Sequence, residues 1–336
     1  MTSPLILNLS GFIPANARLL ARASAETYGP NEEGRLGLSP LRSSLSCPAT
    51  DTLVTLTEYD DCTVLAFRGT ADLRNWITDA EFEKRKAGKR ESGNVHAGFL
   101  AALESVWPQI LARLGMGTCC PPPERDREQA VPAPMKPVLL TGHSLGGALA
   151  VLCAWRLESQ NIPVHSVYTF GQPRVGDAAF AANYSTLQSP LSSRPLAVRT
   201  FRLVNQNDIV PRLPGVLLGY RHAGQLVFIN AGGELVVSPS VIGLLISDAL
   251  GLYRAWRRLD DVLITEHFMA AYVAVLAADA ETAAGAETAA GAETSKSKIQ
   301  APEKLQASTS KPRRAVRRLK FGVFLEFGVW ILKFLS

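Results

Sequence analysis

The sequence predicts an α/β fold with a mostly parallel central sheet flanked by helices. Three observations carry that expectation. Short apolar runs of strand character alternate with helical stretches from about residue 14 to residue 278, the pattern of a parallel sheet covered on both faces. The run 137–141 (PVLLT) reads as a buried strand and passes at once into GHSLGGALAVLCAWRL, a helix with small residues in its first turn. Apolar residues make up 47% of the 336 and charged ones 19%, which is enough for a substantial core.

The elements follow in order. Residues 14–28 space Leu19, Leu20 and Ala23 as an opening helix, and polar turns then run to about Asp51. Residues 52–58 and 62–67 are strand-like and are joined by Tyr59-Asp60-Asp61 as a hairpin. Residues 96–114 form a long amphipathic pattern that Pro108 should kink or divide. Residues 115–137 are rich in proline and mixed charge, a surface insertion. Residues 164–170 and 198–204 are further strands, 226–229 and 234–237 a late hairpin, and 241–278 mostly helical.

After Ala278 the character changes. The repeat ETAAGAETAAGAET and the Ser/Thr/Lys/Pro stretch behind it cannot bury a core. The expected organisation is a domain over 1–278, a linker over 279–310 and a basic, apolar tail over 311–336. Residues 321–335 would span roughly 22 Å as a helix, short of the roughly 30 Å hydrocarbon core. Preceded by KPRRAVRRLK, they suit a helix lying in an anionic membrane surface.

The net charge of +5 belongs to the end of the sequence, where ten Lys and Arg from Lys296 onward face only Glu303 and Glu326. Residues 1–278 are close to neutral and show no basic, aromatic-studded stripe, which excludes a nucleic-acid partner. The five cysteines (Cys47, Cys62, Cys119, Cys120 and Cys153) have no CxxC spacing, so neither a metal site nor a redox pair is expected. Their odd number, and the lack of a basic n-region within residues 1–18, lead to an expectation of an intracellular protein.

Gly142-His143-Ser144-Leu145-Gly146 fits the G-x-S-x-G nucleophile elbow of the α/β-hydrolase fold. The chemistry needs a sharp strand-to-helix turn that lifts the serine oxygen over the sheet edge. Glycines on both sides allow close approach, and the helix N-terminus favours developing negative charge. An acid and a histidine must follow, in that order. Asp208, just beyond a strand end, is the first candidate acid; Asp177 competes but is better explained as a helix N-cap. His267 and His222 both follow Asp208. His267 is favoured because it enters a late helix, whereas His222 sits beside a strand start as a structural hydrogen-bonder. His143 flanks the serine but should point away from it.

Taken together these segments resemble the class 3 lipases, the fungal-type triacylglycerol lipase family, over roughly residues 15–275. The resemblance rests on Phe67-Arg-Gly-Thr70, Asn75-Trp76, Val95-His-Ala-Gly-Phe99, the stretch 142–147, Thr169-Phe-Gly-Gln-Pro-Arg-Val-Gly-Asp177, the stretch 204–214, and His267 with Tyr272. It implies Ser144, Asp208 and His267 as a catalytic triad, and Thr70 with the N–H of Leu145 as the oxyanion hole. It further implies hydrolysis of carboxylic esters, most naturally acylglycerol lipids, through an acyl-enzyme with no cofactor. A short lid helix is expected, with Leu73, Trp76 and Ile77 on its apolar face; the charged run 81–91 departs from the family and reads as a solvated loop. The expected partners are a lipid or ester substrate and a membrane surface met by residues 311–336; the oligomeric state is left open. A phospholipase, and a lipase-like protein that binds acyl chains or a partner without turnover, remain alternatives.

Overall fold

The computed structural model describes residues 2–29, 41–70, 83–88, 92–116, 136–230, 232–239 and 267–278, apart from residues 9, 191, 193 and 207. The chain divides into two compact units, Met1–Ala280 and Glu281–Ser336, and all described residues fall in the first. The expected linker over 279–310 and tail helix over 311–336 lie outside the described residues. So do the lid positions Leu73, Trp76 and Ile77, the helical stretch 241–266, and Cys119 and Cys120.

Among the described residues ten strands are present: β1 (Leu41–Cys47), β2 (Thr52–Glu58), β3 (Thr63–Phe67), β4 (Lys84–Lys86), β5 (Asn94–His96), β6 (Val138–His143), β7 (Val164–Phe170), β8 (Thr200–Asn205), β9 (Gln225–Ile229) and β10 (Leu235–Val237). Eight of them form one sheet in the order β1-β2-β3-β6-β7-β8-β9-β10, while β4 and β5 pair separately. The middle of the large sheet, β3-β6-β7-β8-β9, is parallel throughout, and the outer pairs are antiparallel. The sheet is therefore mixed and mostly parallel, with buried strands at its centre. All five residues of β3 and all six of β6 are buried.

Among the described residues five helices cover the sheet: α1 (Pro14–Ala25), α2 (Ala97–Arg113), α3 (Leu145–Ser159), α4 (Ala178–Thr186) and α5 over 269–278. Side chains alternate along the strands and divide the core in two. Val138 and Leu140 of β6 join a cluster with Phe99, Leu103 and Val106 of α2, Leu149 and Leu152 of α3, and Phe180 of α4. Leu139 points the other way, into a cluster with Leu20 of α1, Phe170, Leu203, and Met269, Tyr272 and Leu276 of α5. Helices thus lie on both faces, the solution that a sheet apolar on both sides requires.

Three expectations differ from the structure. β1 was expected as turn; its LRSSLSC pattern is mostly small and polar, and it forms because it pairs in register with β2 along its whole length at the sheet edge. The charged run expected as loop contains β4, whose Lys84 pairs opposite His96 and whose Arg85 and Lys86 stay exposed. α2 continues through Pro108. Pro108 and Glu104, the residue whose carbonyl loses its partner, both lie on the exposed face, where solvent replaces the missing bond.

The lower edge of the sheet is held by Glu158, which is 1% exposed. Its carboxylate accepts from the backbone N–H of Val164 at the start of β7 (2.8 Å) and of Ser189 (2.8 Å), and pairs with Arg199 (2.9 Å) ahead of β8. Removing one member of a buried pair leaves the other uncompensated. Glu158→Ala is therefore expected to destabilise the fold by about 3–5 kcal/mol in denaturant unfolding, and a loss below about 1 kcal/mol would contradict this role.

Candidate active site

β6 runs into α3 with no intervening loop, and the junction is Ser144. Its backbone adopts φ 55°, ψ −128°, a conformation that costs a non-glycine residue of order 1–3 kcal/mol and persists only when the surroundings impose it. They do so through contact. A Cβ on Gly142 would lie 2.3 Å from the Gly146 carbonyl oxygen, and one on Gly146 would lie 2.1 Å from that of Phe67. Only glycine lets β6, α3 and the end of β3 come this close. The N–H of Ser144 donates to Phe170 O at 2.9 Å, tying the junction to the end of β7. Leu145 opens α3, so its N–H is among those with no partner in the helix.

The chain after β3 reaches the same point. Gly69 packs against Ser144, where an added Cβ would stand 3.1 Å from the serine Cβ. Thr70 follows and is half-buried.

Beyond β8 lies Asp208, 0% exposed. Its carboxylate accepts from His267 Nδ1 at 2.8 and 2.9 Å, from Tyr272 Oη at 2.7 Å and from the Val210 N–H at 2.9 Å. Because a carboxylate only accepts, the proton of the His267–Asp208 contact belongs to Nδ1. The opposite atom, His267 Nε2, is buried and makes no hydrogen bond to the described residues. Gly171, at φ +59°, makes room for the pair: a Cβ there would fall 2.7 Å from Asp208 Oδ2 and 2.8 Å from His267 Nδ1.

His143 has a role that sequence reasoning missed. Its side chain bridges two other parts of the site. Nε2 lies 2.6 Å from the His267 carbonyl oxygen, so it carries the proton, and Nδ1 accepts from Tyr28 Oη at 2.7 Å. Tyr28 in turn packs on Gly69, whose added Cβ would collide with the phenol oxygen. Burial, and then the neighbouring His267, hold the His143 imidazole well below the ordinary histidine range. It is a neutral strut between the end of α1, the elbow and the His267 backbone. No local pattern announces a tyrosine 115 residues upstream of its partner. Tyr272 was noted only as part of a motif; it donates to Asp208 and accepts from the Asn205 N–H at 3.0 Å, pinning the end of β8.

The competing candidates lie elsewhere. Asp177 caps α4 by accepting from the Phe180 N–H at 2.9 Å, and His222 engages the Pro211 carbonyl at 2.8 Å. The structure thus brings Asp208 and His267 together and packs Gly69, the residue before Thr70, against Ser144. The donors around the serine suit a developing oxyanion, and a buried imidazole held by a carboxylate suits proton transfer.

Residues 64–218 match the family model for lipase (class 3). The chain is 34% identical over 203 residues to a lipase of Rhizomucor miehei, a match covering 59% of this chain and 49% of that one. It is 32% identical over 185 residues to secreted mono- and diacylglycerol lipase A of Penicillium cyclopium, covering 55% and 53%. Among solved structures it is similar to lipase II from Rhizopus niveus, with a TM-score of 0.52 and 25% identity over 66% of this chain and 83% of that one. The chain spans about half the length of the relatives it matches by sequence. These matches overturn the intracellular expectation, because the Penicillium relative is a secreted enzyme. Neither the first eighteen residues nor an odd cysteine count fixes the compartment; Cys47, Cys62 and Cys153 are free in the fold.

Burial brings His96, which caps α2 through Nδ1, down to about 4. His96 and His143 therefore stay neutral in the fold at a pH where the unfolded chain protonates both, near 6.5. Their contribution is complete above about pH 6.5 and is lost as pH falls toward the folded values, each at about 1.4 kcal/mol per unit. Urea unfolding across this range is expected to show a plateau near neutrality and then a fall. Unchanged stability down to about pH 5 would mean that the fold accommodates the charged rings.

Proposed function

We propose that this chain, whose residues 64–218 match the class 3 lipase family, is a serine ester hydrolase that cleaves acylglycerol lipids through an acyl-enzyme. The observation that carries this reading is the junction of β6 and α3. A strained serine stands at a helix N-terminus, and nearby a buried histidine is held by Asp208 with its outer nitrogen unengaged.

In the proposed reaction His267 Nε2 takes the proton of Ser144 Oγ as that oxygen attacks the ester carbonyl. The oxyanion is received by the N–H groups of Thr70 and Leu145; losing one such donor typically costs about 3–4 kcal/mol of barrier. Asp208 keeps Nδ1 protonated and supports the imidazolium. Collapse of the tetrahedral species returns the proton from Nε2 to the departing alcohol. Water, deprotonated by the same nitrogen, then releases the fatty acid. Acylglycerols are favoured as substrates because the Penicillium relative is a mono- and diacylglycerol lipase, and secretion is proposed on the same ground. Leu73, Trp76 and Ile77 are proposed as an apolar lid face, and residues 311–336 as a tail helix resting on an anionic membrane, both from their sequence pattern.

The test is hydrolysis of an ester series from short to long acyl chains, dissolved and emulsified. Activity should rise on long-chain emulsions and fall at least about 10⁴-fold in Ser144→Ala. Cleavage of short dissolved esters alone would make the protein an esterase, and a folded protein that cleaves nothing would leave only a binding role. A second variant probes the geometry without touching a reacting atom. Gly171→Ala drives a methyl between Asp208 and His267 and should lower turnover about 10²-fold, as a displacement of about 1 Å does. Unaltered turnover would show that the pair is not required in this arrangement.

A further inference from the structure

The end of the sheet braced by Glu158, opposite to the one that carries Ser144, is hollow. A cleft of about 500 Å³ opens there, floored by the first residues of β7 and β8 and walled by the segment that leads into α1. Pro137 lines it just before β6 begins, and Ser144 follows the last residue of β6. The six residues of that strand set the two places roughly 20 Å apart. A cavity of this size is in the range that small-molecule ligands occupy.

Most polar side chains of its inner walls are already engaged. His165 Nε2 donates to the Leu7 carbonyl at 3.0 Å, and its Nδ1 lies 3.2 Å from Ser166 Oγ. Asn16 bonds both backbone groups of Ile6, at 2.8 and 2.9 Å, and Tyr168 Oη accepts from the Ile13 N–H at 3.1 Å. Two guanidiniums also line the cleft, and they differ. Arg199 pairs with Glu158 at 2.9 Å and donates through Nε to the Arg194 carbonyl at 2.9 Å. Arg194 is half-buried, and its guanidinium makes no hydrogen bond or ion pair among the described residues. Glu158 cannot serve it as well. A carboxylate offers about four lone-pair sites, and this one already accepts from the N–H groups of Val164 and Ser189, from Ser192 Oγ and from Arg199. The cleft therefore carries one positive charge in excess. What its walls offer besides are the half-buried apolar surfaces of Leu7, Pro137 and Pro163.

We propose that this cleft binds a small amphipathic carboxylate, with its anionic end on Arg194 and its hydrocarbon against Leu7, Pro137 and Pro163. A planar carboxylate matches the guanidinium fork through two parallel bonds, and a monoanion balances the single excess charge. Because the inner wall groups already have partners, a sugar or nucleotide would bring polar atoms that stay unpaired there. The acid released by the proposed hydrolysis has the required chemistry, yet the site does not rest on that reading, and the two can fail separately.

The probe is octanoate, titrated calorimetrically into the full chain carrying Ser144→Ala, with octanol as its uncharged counterpart. Thermal melting verifies that each variant is folded. Arg194→Gln should weaken octanoate binding about tenfold or more, the loss of one charge-assisted contact, and leave octanol binding unchanged. Arg194→Lys should recover part of the affinity. Asn8→Trp, at the exposed rim of the cleft, should weaken both ligands by filling it. Octanoate bound equally by the parent and by Arg194→Gln would overturn the proposal and place the acid elsewhere, the surroundings of Ser144 included. Absence of octanoate binding would overturn it too. Binding that depends on Arg194, in a chain whose native form cleaves no ester, would leave the site standing and remove the hydrolase reading.

Discussion

A carboxylate with no solvent contact must be satisfied by the protein alone, and in this fold that demand falls on Asp208. Its three partners come from two places in the chain. Val210 is two residues away, while His267 and Tyr272 arrive at the entry and first turns of α5, about sixty residues later. The placement of α5 on the sheet is thereby linked to the end of β8, a link doubled by the Asn205 N–H on Tyr272 Oη. Gly171 is a consequence of the same constraint: the pair occupies the space where any larger residue would put its Cβ.

The second constraint is steric. Ser144 is held at positive φ because strand, helix and the neighbouring strand end converge on it with only glycine between them. Packing on both sides of the sheet, through Leu149 and Leu152 on one face and Leu139 on the other, offsets the strain. The neutral His143 strut joins the two constraints. It spans from Tyr28, which packs on the chain leading to Thr70, to the backbone of His267. A chain of contacts therefore runs from Tyr28 through His143 and His267 to Asp208.

What could be read from the sequence was what is local. The strand-to-helix junction at Ser144 and the capping role of Asp177 follow from neighbours in the chain. So does the hairpin of β2 and β3, because an apolar run ends on Tyr59-Asp60-Asp61 and another begins. β1 and β4 were illegible for one reason: their polar residues form strands only because a partner supplies the ladder. The Tyr28–His143 bond could not be read at all, since it joins residues brought together by the whole sheet. Pro108 does not divide α2, because the bond it removes faces solvent.

The most direct measurement is a crystal structure of the protein after reaction with a long-chain alkyl phosphonate ester, which carries a tetrahedral oxygen where the oxyanion would form. The account predicts phosphorus bonded to Ser144 Oγ, its free oxygen within hydrogen-bond reach of the Thr70 and Leu145 N–H groups, and His267 Nε2 facing the serine oxygen. An intact fold with Ser144 unreacted, or with the phosphonate on another residue, would contradict it.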